Sequence, residues 1–189
     1  MANDVLIAAA RPVASAATVE RLKDYGIPES ASSRLPRPIA YALLCHREAP
    51  QFLSERGLAL PIATFGFDDA MPQTRQDLEA ALAVAQDGLE RGGPADCLMA
   101  MSTMRACTRQ RQTLLIDEQL MLATYAEKFA KYPAHVVARA CDKWMETSPF
   151  WPAISELLPY CDWALQTSSA LVFALKKALG HFERGPSNA

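Results

Sequence analysis

Residues Leu114–Leu158, LLIDEQLMLATYAEKFAKYPAHVVARACDKWMETSPFWPAISELL, decide the fold. The stretch reads as three helices in quick succession, each cut by a proline. Across Gln110–Tyr132, Leu114, Met121, Leu122, Tyr125 and Phe129 line one stripe, while Asp117, Glu118, Glu127, Lys128 and Lys131 lie elsewhere. Pro133 stops that helix and can serve as the first residue of the next. Pro133–Glu146 then buries Val136, Val137, Ala140, Cys141 and Trp144, with His135, Arg139, Asp142, Lys143 and Glu146 opposite. Thr147–Phe150 is a turn, and Trp151-Pro152 opens a third helix. Its first turn holds Glu156, where the helix dipole favours a carboxylate. Ile154, Leu157, Leu158 and Cys161 form its apolar face, and Pro159 is placed to kink it.

The pattern continues on both sides. Gln73–Arg91 spaces Leu78, Leu82, Ala85 and Leu89 on one helical face, and Gly92-Gly93-Pro94 ends it. Pro94–Thr108 is helical, with Leu98, Met99, Met101 and Met104 spread around its surface. It reads either as a buried helix or as an adaptable, methionine-rich partner contact through Met99, Met101 and Met104. Trp163–Leu179 makes a last helix ending at Gly180, and the tail 181–189 should fray.

Residues 1–71 look different. Pro12, Pro28, Pro36, Pro38, Pro50 and Pro61 leave room only for short elements. Thr18–Tyr25, Ile39–Arg47 and Pro50–Arg56 are candidate short helices, Gly26–Pro38 a flexible linker. Gly57–Phe67 is apolar and β-tolerant, but one strand cannot make a sheet. The expected fold is therefore all-α: four to six helices bundled from residues 72–180, preceded by an irregular, proline-rich arm over 1–71. Leu78, Leu82, Leu122, Tyr125, Phe129, Val137, Trp144, Leu157 and Leu171 should form its core.

Half of the 189 residues are hydrophobic and 21% are charged, a globular balance that argues against wholesale disorder. The net charge of -2 gives no bulk support to nucleic-acid binding. The five cysteines are odd in number and include no CxxC pair, so they read as reduced, buried or idle thiols of a cytoplasmic protein. Val5–Ala10 lacks the basic leader of a signal peptide, and no stretch reaches the ~20 apolar residues of a membrane span.

Catalytic patterns are missing from the chain. Gly92-Gly93 lacks the spacing and the lysine of a phosphate loop, and no GxSxG, HExxH or EF-hand motif occurs. His46, His135 and His181 are far apart and read as surface residues. No catalytic residue, metal ligand or cofactor is expected. Charge is uneven, however. Residues 57–96 hold seven acids against two arginines, and residues 97–143 hold seven bases against four acids. The two regions either pair side by side or leave a basic patch of Arg105, Arg109 and Arg111, with Lys128 and Lys131, free to touch phosphates.

One run carries a resemblance: Tyr125, Phe129, Tyr132-Pro133, Val136-Val137, Ala140 and Trp144, followed by Phe150-Trp151-Pro152 and Glu156-Leu157. It is similar to the ordered domain of phage and prophage replicative-helicase loaders, over about residues 120–160. In that pattern a helix ends at a proline, a second carries valine and tryptophan, and an aromatic-proline turn leads to a Glu-Leu helix. The resemblance implies a non-enzymatic replication accessory protein that binds a replicative helicase. The alternatives are a phage- or mobile-element-encoded regulatory protein acting by protein binding, and a helical protein that contacts DNA through its arginines. Each residue of the run also has a plain structural job.

Overall fold

The computed structural model describes residues 14–47, 51–52, 59–68, 71, 73–110 and 118–183. Among these, the elements run α1 (Ala16–Asp24), α2 (Glu29–Ser32), α3 (Arg37–Ala42), β1 (Leu43–Arg47), β2 (Gln51–Phe52), β3 (Ala59–Leu60) and β4 (Ala63–Phe67). Five longer helices follow: α4 (Arg75–Asp87), α5 (Pro94–Cys107), α6 (Glu118–Phe129), α7 (Ala134–Thr147) and α8 (Ile154–Glu183). The fold is mostly helical, and two short antiparallel ladders, β1 with β4 and β2 with β3, make it mainly-α rather than all-α.

The last helix is the spine. A helix of 30 residues is about 45 Å long, enough to serve two cores in turn. Around its first half, Cys97, Met101 and Met104 of α5, Ala126 and Phe129 of α6, and Val136, Val137, Ala140, Cys141 and Trp144 of α7 close on Leu157, Cys161 and Ala164. Around its second half, Leu22, Ile27, Ala31, Leu35, Ile39 and Leu43 meet Leu78, Ala81 and Ala85 of α4 and Leu171 and Leu175 of α8. The stretch expected as an irregular arm thus supplies half of a second core. Two of its boundaries also differ from expectation. Helix α1 begins at Ala16 rather than Thr18 and is capped by Ser15, the Thr18 N–H donating to the Ser15 hydroxyl at 3.3 Å. The helix expected over Ile39–Arg47 stops at Ala42, and its remainder becomes β1.

The sheet forms because the apolar 57–67 stretch does find a partner. Leu43 pairs with Phe67 and Arg47 with Ala63, then Gln51 with Leu60. Leu43, Cys45, Phe65 and Phe67 face the second core, while Leu44 and His46 are exposed. The Trp163 indole donates to the Pro61 carbonyl at 2.8 Å, fastening these strands to α8.

Two glycines are required by geometry. Gly26 has φ +84° after α1, and its N–H closes on the Lys23 carbonyl at 2.8 Å. Gly92 lies where an added Cβ would come within 3.0 Å of the Ala134 nitrogen, and its N–H donates to the Tyr132 carbonyl at 3.1 Å. Gly93 then caps α5, with Pro94 in the first turn and Asp96 accepting the Gly93 N–H at 2.8 Å.

The two helices expected here, one opened by Trp151-Pro152 and one over Trp163–Leu179, are a single helix: α8 passes through Pro159 without ending. Pro159 lies in the second turn, where one missing backbone donor is outweighed by the apolar contacts on both sides. Residues 111–117, with Leu114 of the α6 stripe, and residues 184–189 of the expected tail lie outside the described residues. So does the apolar run Val5–Ala10. No described helix is long and apolar enough to cross a membrane.

Candidate functional site

Tyr125, Pro133, Trp144, Trp151, Pro152 and Glu156 come together as one structural joint. Tyr125 donates its hydroxyl to the Pro152 carbonyl at 2.8 Å, and its ring lies 5.0 Å from that of Trp151. Trp144 donates its indole N–H to the Phe150 carbonyl at 2.6 Å and meets Tyr160 edge-on at 5.6 Å. Pro133 caps α7, its carbonyl accepting the Val136 N–H at 3.0 Å. Glu156 accepts the Ala153 N–H at 2.7 Å at the start of α8. A backbone bridge completes the joint: Arg109 N–H to the Pro149 carbonyl and Trp151 N–H to the Arg109 carbonyl, each 2.8 Å. These side chains set the angles among α6, α7 and α8.

The described basic residues are not gathered into one patch. Arg105 is three-quarters covered, paired with Glu118 at 2.8 Å and donating to the Thr108 carbonyl at 3.2 Å. Arg109 is exposed beside the backbone bridge, and Arg111 lies outside the described residues. Lys128 is exposed and Lys131 leans over the Tyr132 ring at 4.9 Å, both at the far end of α6. Ten residues separate Glu118 from Lys128, about 15 Å along the helix. The side-by-side pairing of acidic and basic regions is not seen among the described ion pairs either. Asp87 of α4 pairs with Arg34, and Glu79 with Arg75.

The methionines divide. Met101 and Met104 are fully buried in the first core and cannot offer a contact surface, which corrects the expectation for that pair. Met99 is 79% exposed, with Leu98 exposed next to it. Beside Met99 a groove of about 370 Å³ runs between α5 and α7. Ala100, Thr103, Ala134 and Ala138 make its floor and walls, and Asp96 and Asp142 stand at its rim. The groove exists because small side chains recur every three or four residues on both helices. Burial and the neighbouring Glu146 raise the Asp142 carboxyl above its ordinary range, against the pull of Arg139.

Behind α7 a polar seam joins the two cores. His135 is not the surface residue expected from sequence. Its Nε2 lies 3.1 Å from the Ser168 hydroxyl, and burial, aided by Arg139, lowers its pKa to about 4. Ser168 also reaches the Gly26 carbonyl at 3.2 Å. Arg139 stacks on Trp163 at 4.9 Å and points toward the Lys23 carbonyl at 3.4 Å. The adjoining cavity, about 460 Å³, mixes Lys23, Arg139 and Lys143 with Asp24, Asp142 and Glu146. Lys143 pairs with Glu146, and Lys23 with Glu20 and Glu29, so no single sign of charge dominates.

The thiols are placed as their composition suggested. Cys97, Cys141 and Cys161 are buried, Cys45 is half-buried and Cys107 exposed, and all five are free. Burial pushes the Cys141 thiol up to about 12 and the Cys161 thiol higher still. Burial disfavours the thiolate form of both. No family model, no curated protein and no solved structure matches this chain.

Proposed function

We propose that this protein is a non-enzymatic accessory factor of DNA replication that works by protein contact, with a replicative helicase as its partner. The observation that carries the reading is the α5–α7 groove flanked by the exposed Met99. A flexible thioether beside a trough of alanines is the kind of surface that accepts an amphipathic helix. Asp96 and Asp142 at the rim favour a helix whose apolar stripe is flanked by lysine or arginine. The helicase as partner rests on the similarity of residues 125–157 to helicase loaders. Action by binding is supported by the raised thiols and the neutral, bonded His135, which are poorly suited to nucleophilic or acid-base work. Direct DNA contact through Arg105, Arg109 and Arg111 is less well supported, since Arg105 is already covered and paired.

Capture of a hexameric replicative helicase by the immobilised full chain tests the reading. Retention at micromolar concentration is expected, together with a loss of about tenfold or more for Met99→Glu. The exposure of Met99 leaves that variant free to fold. No retention of the helicase removes the proposal. Equal retention of the variant removes the groove as its site.

A further inference from the structure

Helix α8 keeps one face outside both cores. Phe173 is 72% exposed there, the most open aromatic side chain among the described residues. At about 100° per residue, Lys176 lies about 60° to one side of Phe173 and Lys177 about 40° to the other, and both are exposed. Ser169 and Ala170, one turn earlier on the same face, are small. The face is a single aromatic knob between two cations. The α5–α7 groove has the complementary form. Ala100, Thr103, Ala134 and Ala138 line it, and the charges at its rim are Asp96 and Asp142. His135, which also lines it, lies within hydrogen-bond distance of Ser168. That contact keeps Phe173 away from the groove of its own chain. Ser168 meets His135 beside the groove, and Phe173, five residues further along α8, points about 140° away from Ser168.

We propose that a second copy of this chain docks here: Phe173 of one molecule enters the α5–α7 groove of another, which brings Lys176 and Lys177 beside Asp96 and Asp142 of that groove. The ring gains an apolar seat among alanines, and the two cations meet the two rim carboxylates. Small side chains on both surfaces let α8 of one copy come close to α5 and α7 of the other. Knob and groove are different surfaces, so the contact is heterologous. A single small contact of this kind is weak, with a Kd on the order of 0.1–1 mM. The inference rests on the groove put forward above as the partner site, but not on the helicase as its partner. A bound copy shuts the groove, so self-association and partner binding exclude each other.

Sedimentation equilibrium of the full chain up to millimolar concentration tests this, with two variants. Phe173→Glu removes the knob and sets a carboxylate against the acidic rim, and Thr103→Lys fills the groove and sets a cation against Lys176 and Lys177. Phe173 and Thr103 are both exposed, so neither change enters a core, and an unchanged thermal melt shows that each variant is folded. The average mass of the parent should rise with concentration, and each variant alone should associate about tenfold or more weakly. An equal mixture of the two should regain the parental affinity as a one-to-one dimer, because the intact groove of Phe173→Glu takes the intact Phe173 of Thr103→Lys. A parent that stays monomeric at millimolar concentration overturns the proposal. So does association that survives either variant, or that mixing the two does not restore. No helicase enters the measurement, so its failure and the failure of helicase capture are separate results.

Discussion

His135 shows how much a single side chain can hold when its partners come from elsewhere in the chain. It begins α7, yet it faces the Ser168 hydroxyl 33 residues later, and through Ser168 it is tied to the Gly26 carbonyl. Burial and Arg139 both disfavour its charged form. Its folded pKa is therefore depressed from 6.5 to about 4. A depressed histidine contributes stability that is complete above the unfolded value and is lost as pH falls toward the folded one. Between those limits the unfolded chain binds the extra proton, so stability rises with pH. The loss should reach ~3 kcal/mol at most across the window. Asp142, raised in the fold, works in the opposite direction. The informative measurement is thus a difference. His135→Gln keeps a hydrogen-bonding group but cannot charge, so urea unfolding should show the variant losing less stability than the parent on acidification. Parallel pH profiles for the two proteins would show that His135 is not held neutral.

At the scale of elements, what the sequence discloses depends on how local the cause is. Helix α7 was legible residue by residue, because Val136, Val137, Ala140, Cys141 and Trp144 repeat on one face and are buried as that repeat requires. The start of α5 was legible for the same reason, since Gly93 and Pro94 act within a few residues of themselves, whereas α4 ends at Asp87 with Gly88 as its cap, short of the expected stop at Gly92. The strand β1 was not, because Leu43–Arg47 gains its partner from Ala63–Phe67 and nothing nearby announces it. Met101 and Met104 share their apolarity with Met99, and only the approach of α6 and α7 decides which ones are covered. The groove residues Ala100, Ala134 and Ala138 carry no chemical signal at all, except their smallness at helical spacing. Pro159 belongs to this scale as well. Its ring leaves the Ser155 carbonyl without a helical donor inside a helix that packing keeps continuous. Pro159→Ala should restore that bond and raise stability by about 1–3 kcal/mol in chemical denaturation. An unchanged or lowered stability would mean that the Pro159 ring is itself needed to seat Tyr160 and Cys161 in the first core.

At the scale of the molecule, two hydrophobic cores share one helix, and the question is whether they melt together. Phe129, Met101 and Leu157 anchor the first, Leu22, Leu78 and Leu175 the second. The rungs between them are Thr167 and Ser168, buried polar residues that return hydrogen bonds to the Trp163 and Ala164 carbonyls of α8 itself. Arg139 on Trp163, Trp163 on Pro61, and His135 with Gly26 through Ser168 tie α7, the strands and the end of α1 to the same turns of the helix. Losing either core would leave one half of α8 with an exposed apolar face, and an isolated amphipathic half-helix of about 15 residues is marginal in water. Each core therefore depends on the other for the helix on which it is built. A single calorimetric transition is expected, with calorimetric and van't Hoff enthalpies in agreement. Phe129→Ala in one core should cost about 3–5 kcal/mol and Leu175→Ala in the other about 2–5 kcal/mol. Both should shift that one transition as a whole. If Phe129→Ala instead splits the melt, leaving an upper transition at the parental temperature, the helix does not couple the cores and they are independent folding units.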